Sequence, residues 1–137
     1  MYRILIPVDA DPDRADQQAT FVTDLPIPEG ELSAVVTHAF TAEEVEAPDD
    51  MRSVDRIETV RQVRDALEAA GIDVELVEGS IPPADGILQL AGEYDVDQIL
   101  MGSRKRSPTG KAVFGSVSQK VMLESTVPVT VVGSRPA

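Results

Sequence analysis

The chain has 137 residues, 42% of them hydrophobic, which suits one domain around a single buried core and excludes wholesale disorder. It contains no cysteine, so a disulfide framework and a thiolate metal site are both excluded. The formal net charge is −12, from 24 acidic against 12 basic residues spread along the chain. Such a surface opposes a polyanionic partner, and with lysine so scarce it suggests a salt-rich cytoplasm, an ordinary acidic protein being the alternative.

Residues 2 to 8, YRILIPV, form an apolar run rich in β-formers that ends at Asp9, the pattern of a buried strand and a turn. ADPDRADQQATFVTDLP reads as a loop and first helix, with Asp11 or Asp13 as N-cap and Pro26 as a stop. ELSAVVTHAF, 31 to 40, is a second strand, and the acidic, proline-containing stretch 41 to 52 is a loop. From Ser53, taken as a cap, Val54, Ile57, Val60, Val63 and Leu67 recur at helical spacing up to Gly71, which stops the helix.

IDVELVEG, 72 to 79, alternates as a strand, and IPPADGILQLAGEY opens a helix with its prolines confined to the start. Gln98 to Met101, with the preceding Val96, gives a fourth strand. SVSQKVMLES after Gly115 gives a fourth helix, and VPVTVV, 127 to 132, a fifth strand. No apolar run approaches the length of about 18 residues that a membrane span needs, and MYRILIPVDA lacks the order of a signal peptide, so a cytoplasmic location is expected.

Strand and helix alternate from end to end, and parallel strands need crossover helices, so the pattern predicts one three-layer α/β/α domain over 1–137. In such sheets a ligand binds beyond the carboxyl ends of the strands, where connections diverge to opposite faces. The turns after the first and fourth strands are the candidates. The latter opens MGSRKRSPTGKAVFGSVSQK, part of a window from Gln98 to Leu123 with five basic residues (Arg104, Lys105, Arg106, Lys111 and Lys120) and no acidic one.

Gly102 follows a buried strand, where a missing side chain permits close approach to the backbone. Gly115 and Ser116 begin a helix whose free amides, hydroxyl and dipole suit a phosphate. Neither familiar phosphate loop fits. A Walker A motif fails because Ala112 follows Gly110-Lys111 and Lys105 stands five before Gly110; the Rossmann fingerprint fails because residues 9 to 14 read DADPDR. The alternative for these positions is a strand exit, a helix cap and a solvated loop whose cations pair with the acidic remainder of the protein. His38, the sole histidine, reads as a packed strand residue rather than a catalyst.

The spacing Gly, two residues, Gly, nine residues, Gly-Ser/Thr after the fourth strand is met by Gly102, Lys105, Gly115 and Ser116, with lysine in place of the second glycine. Together with ILIPVD, DQILMGSR, FGSVSQKVM and PVTVV, it makes nearly the whole chain resemble the universal stress proteins. The resemblance implies a five-stranded parallel sheet of order 3-2-1-4-5, of the adenine nucleotide alpha hydrolase-like type, and a homodimer pairing through strand Val127 to Val132. It implies ATP or a related adenine nucleotide as ligand, with Mg²⁺ riding on the phosphates.

Carried over residue by residue, Pro7 and Asp9 would hold the adenine and ribose end, and Ala39 would present backbone to the adenine. Met101 and Gly102 would line the ribose; Arg104, Lys105, Gly115, Ser116 and Val117 would surround the phosphates. Arg104 and Lys105 depart from the family pattern, and the turn from Gly79 to Ile87 carries two extra residues. The expected function is a stress or signalling module acting by binding rather than an efficient enzyme, with no catalytic residue and no protein-held metal. The alternative is a nucleotide-free dimeric scaffold in which Lys105 fills the site. Nucleic-acid binding through the basic loop is weaker, since that loop offers only Phe114 for stacking.

Overall fold

The computed structural model describes residues 1–38, 57–102 and 114–133. Five strands form one sheet: β1 (Tyr2–Val8), β2 (Leu32–His38), β3 (Asp73–Leu76), β4 (Gln98–Gly102) and β5 (Val129–Val132). Their order across the sheet is β3-β2-β1-β4-β5, every neighbouring pair parallel, as the resemblance implied. Four helices are described: α1 (Pro12–Thr23), α2 (Glu58–Ala69), α3 (Pro83–Glu93) and α4 (Ser116–Glu124).

The sheet is buried on both faces, which is why β1 reads as a continuous apolar run rather than an alternation. Ile4, Ile6 and Val8 pack with Ala15, Ala19 and Val22 of α1 and with Val60, Val63 and Leu67 of α2. Leu5 belongs to the opposite core, with Val35, Ile99 and Met101, Ala84, Ile87 and Leu90 of α3, and Val121 of α4. The period of two along each strand thus sorts side chains between two helical layers.

The helix signals act as the sequence suggests. Asp11 is the N-cap of α1, accepting from the amides of Asp13 and Arg14, and Pro12 stands in the first turn. Gly71, at φ +81, ends α2 in the left-handed conformation, with the Ile72 amide bonded back to the Leu67 carbonyl. The Ser53 cap expected for that helix lies outside the described residues; the described helix begins at Glu58, with Ile57 at the N-cap position.

Strand ends differ by a few residues. β5 begins at Val129 rather than Val127, because Pro128 has no amide to donate, although its carbonyl still accepts from the Ile99 amide. Val96 lies outside β4: Asp95 takes a positive φ of 51, and the Val96 amide bonds back to Ala91 at the end of α3. β3 ends at Leu76 rather than Gly79, yet the Val77 amide still reaches the Val36 carbonyl. Among the described residues, no helix is long and apolar enough to cross a membrane.

Candidate functional site at the parting of β1 and β4

β1 and β4 pair only at Ile4 with Gln98 and Leu5 with Ile99, although β1 runs on to Val8 and β4 to Gly102. Towards their carboxyl ends the strands part, at the place where the sheet order reverses direction. The parting is held by one side chain of α1. Gln18, 1% exposed, donates from Nε2 to the carbonyls of Pro7 at 2.9 Å and Leu100 at 3.1 Å. A side-chain amide has two N–H donors, and here each strand takes one.

Asp9 stands just above this clamp, fixed from three sides. Its Oδ1 accepts from the Asp11 amide at 2.9 Å, its Oδ2 accepts from Arg14 Nε at 2.7 Å, and its carbonyl accepts from Thr59 Oγ1 of α2 at 2.6 Å. Arg14 also lies 3.3 Å from Asp11 Oδ2 through Nη1. The guanidinium has five donors in a rigid fork, so it holds the plane of the Asp9 carboxylate while each carboxylate oxygen keeps acceptor capacity.

Gly102 is placed by packing on the α1 side. A Cβ there would be in ordinary contact with Arg14 Cβ and Cδ at 3.4 Å and Gln18 Cδ at 3.5 Å, so the strand tip lies directly against α1. Met101 is 3% exposed and its side chain lies in the core beside α3 and α4, leaving its backbone as the part available at the edge. Val117 packs against the same core, which seats the start of α4 on the α3 side of the sheet. Gly115 is the N-cap of α4 without a side-chain cap bond, and Ser116 is exposed. Ala39, Arg104 and Lys105 lie outside the described residues.

The turn between β3 and α3 forms a further wall. Gly79 lies over the tip of β2, where a Cβ would sit 3.6 Å from Thr37 Oγ1 and 3.4 Å from Leu90 Cδ1. Ser80 Oγ donates to Gln89 Oε1 at 2.9 Å, folding the turn back onto α3. This close return needs Gly86, since a Cβ there would lie 2.0 Å from the Ser80 carbonyl oxygen. The turn from Gly79 is thus folded against the helix.

The basic window is not a single unit. Lys120 Nζ lies 2.9 Å from Asp85 Oδ1, joining α4 to α3, and this bond raises the ammonium pKa above its ordinary value of 10.5. Lys120 accordingly pairs with the acidic surface. Among the described residues the cation standing at the crevice is Arg14, which motif reading passed over. Arg14 and Gln18 fall four apart and so share a helix face; that i, i+4 spacing was the available signal.

The sequence and the fold have known relatives. The stress response protein NhaX of Bacillus subtilis is 33% identical over 126 residues, covering 89% of this chain and 69% of its own. The solved universal stress protein from Archaeoglobus fulgidus superposes with a TM-score of 0.76 at 29% identity, covering 96% of this chain and 98% of the other. A universal stress protein from the same organism, solved in complex with dAMP, shares the fold with a TM-score of 0.70 at 22% identity, covering 96% of this chain and 98% of its own. Residues 1–133 match the model of the Universal stress protein family, and the chain belongs to that family.

Proposed function

We propose that this protein is a stress or signalling module that binds ATP or a related adenine nucleotide in the crevice between β1 and β4. The observation that carries this reading is the parting of the two strands over the Gln18 clamp, with Asp9 held rigidly at its rim. A carboxylate presented beside open strand tips suits a ribose diol or an amino group. The uncapped start of α4 suits phosphate through its free amides. The fold relative solved with dAMP supports an adenine ligand here.

In this reading Pro7, Asp9, Ala39, Met101 and Gly102 serve the base and ribose. Arg104, Lys105, Gly115, Ser116 and Val117 serve the phosphates. Among the described residues no group of three or more His, Asp or Glu could hold a metal, so Mg²⁺ would arrive on the nucleotide. The role is binding rather than turnover. Phosphoryl transfer requires a positioned water or acceptor, and Asp9 is already committed to Arg14 and the Asp11 amide.

All four residues of β5 are half-buried at the sheet edge, which suits antiparallel pairing with a second copy in a cytoplasmic homodimer. The test is to denature purified protein, identify any released nucleotide, and titrate the emptied protein with ATP by calorimetry in high salt, with and without Mg²⁺. Retention or binding of an adenine nucleotide supports the reading. No nucleotide released and no binding at millimolar ATP overturns it.

A further inference from the structure

Thr37, the penultimate residue of β2, carries the observation that the fold alone leaves unexplained. It is 1% exposed, and its Oγ1 is buried with no hydrogen-bond partner among the described residues. A hydroxyl withdrawn from water without a partner is destabilising, and in a strand flanked by apolar neighbours valine fits the same volume without that penalty. Stability alone therefore favours a different residue at this position.

Its location gives the hydroxyl a use. Thr37 is the register partner of Pro7 and shares the α3 face of the sheet with Val35, at the edge where β1 and β4 part. The adjacent turn brings Gly79 over it. A Cβ at 79 would be in ordinary contact with Oγ1 at 3.6 Å, so Gly79 sets backbone rather than a side chain of its own beside the hydroxyl. Gly86 allows the turn to hold this position against α3.

We infer that the Thr37 hydroxyl is a ligand contact that waits unpaired for the base or ribose of the bound nucleotide and helps to select it. The inference rests on the nucleotide reading above and adds a residue to it. In the free protein the orphaned oxygen is a cost to stability, and on binding it gains a partner in a site shielded from water. Affinity at the nucleoside end is thereby obtained at the expense of the empty fold.

The test compares wild type with Thr37→Val and Thr37→Ser, using thermal melts without ligand and calorimetry with ATP and with adenosine. Thr37→Val should melt at or above the wild-type temperature while binding both ligands roughly tenfold more weakly, by the same factor for each. Thr37→Ser keeps the hydroxyl and should bind within about twofold of wild type. Ser33→Ala removes another buried, unpartnered hydroxyl at the opposite end of the same strand and should leave affinity unchanged.

Wild type that binds while Thr37→Val binds equally well overturns this inference alone. A tenfold loss for ATP but not adenosine also overturns it, since the contact would then lie at the phosphates. If Thr37→Val does not fold, the hydroxyl has a structural role and the inference fails. Wild type that binds no adenine nucleotide removes the nucleotide reading and this inference with it.

Discussion

Arg14 Nε lies 2.7 Å from Asp9 Oδ2, and this pair fixes the carboxylate at the rim of the crevice. Both side chains are partly buried, at 19% and 30% exposure, so the pair is screened less by salt than a surface bridge. Arg14→Gln should destabilise the fold by only about 1 kcal/mol. Its larger expected effect is on ligand affinity, because Asp9 loses the fork that sets its orientation. Calorimetry with adenosine, which has no phosphate, checks this: a several-fold loss supports Arg14 as a positioning residue, and unchanged affinity removes that role.

Glycine in a helix interior ordinarily costs about 0.5–1 kcal/mol relative to alanine, so replacement is expected to stabilise. α3 contains two opposite cases. At Gly92 nothing lies within 4 Å of a built Cβ, and Gly92→Ala should raise stability by about that amount. At Gly86 the Ser80 carbonyl oxygen stands 2.0 Å away, so backbone must move and Gly86→Ala should destabilise by about 1–3 kcal/mol. Urea melts of the two variants should shift in opposite directions.

Gln18→Leu keeps most of the buried volume but removes both hydrogen bonds that join Pro7 to Leu100 across the parting. The expected loss is about 1–3 kcal/mol, since two buried carbonyls lose a donor. Hydrogen exchange should show the extra opening at the carboxyl ends of β1 and β4. An effect confined to α1 would contradict the clamp.

The Lys120 ammonium has a pKa above 10.5, chiefly because it donates a hydrogen bond to Asp85 and is attracted by its charge, with Glu124 adding to this. The folded state thus binds this proton more tightly than the unfolded chain. The contribution is fully present below pH 10.5 and is lost as pH rises through the higher folded value. Wild type should therefore lose stability above pH 10.5 more steeply than Asp85→Asn. The two melting curves should draw together there, whereas parallel loss would show that the bond contributes nothing.

The layered fold was legible because its signals are local and periodic: the all-apolar β1, the three- and four-residue spacing of Val60, Val63 and Leu67, and Gly71 as a stop. Asp9 was legible as the residue after a buried strand, and Gly102, read as the residue after β4, is the last residue of that strand. Arg14 and Gln18 were not, because polar residues in a first helix read as solvent-facing, and the Leu100 carbonyl that Gln18 meets is 82 positions away. Nothing local in the sequence marks Gly86, since its reason is the Ser80 backbone folded back on it. The last strand was legible from its valines: Val127, Val129 and Val131 pack against one core and Val132 against the other.

A single amide reaching two diverging strands makes the width of the crevice and the seat of α1 one mechanical coordinate. Spreading the strand tips beyond hydrogen-bond reach breaks one of its two bonds unless α1 shifts with them. The exposed Asp13 and Asp16 on the outer surface of α1 ride on that same coordinate.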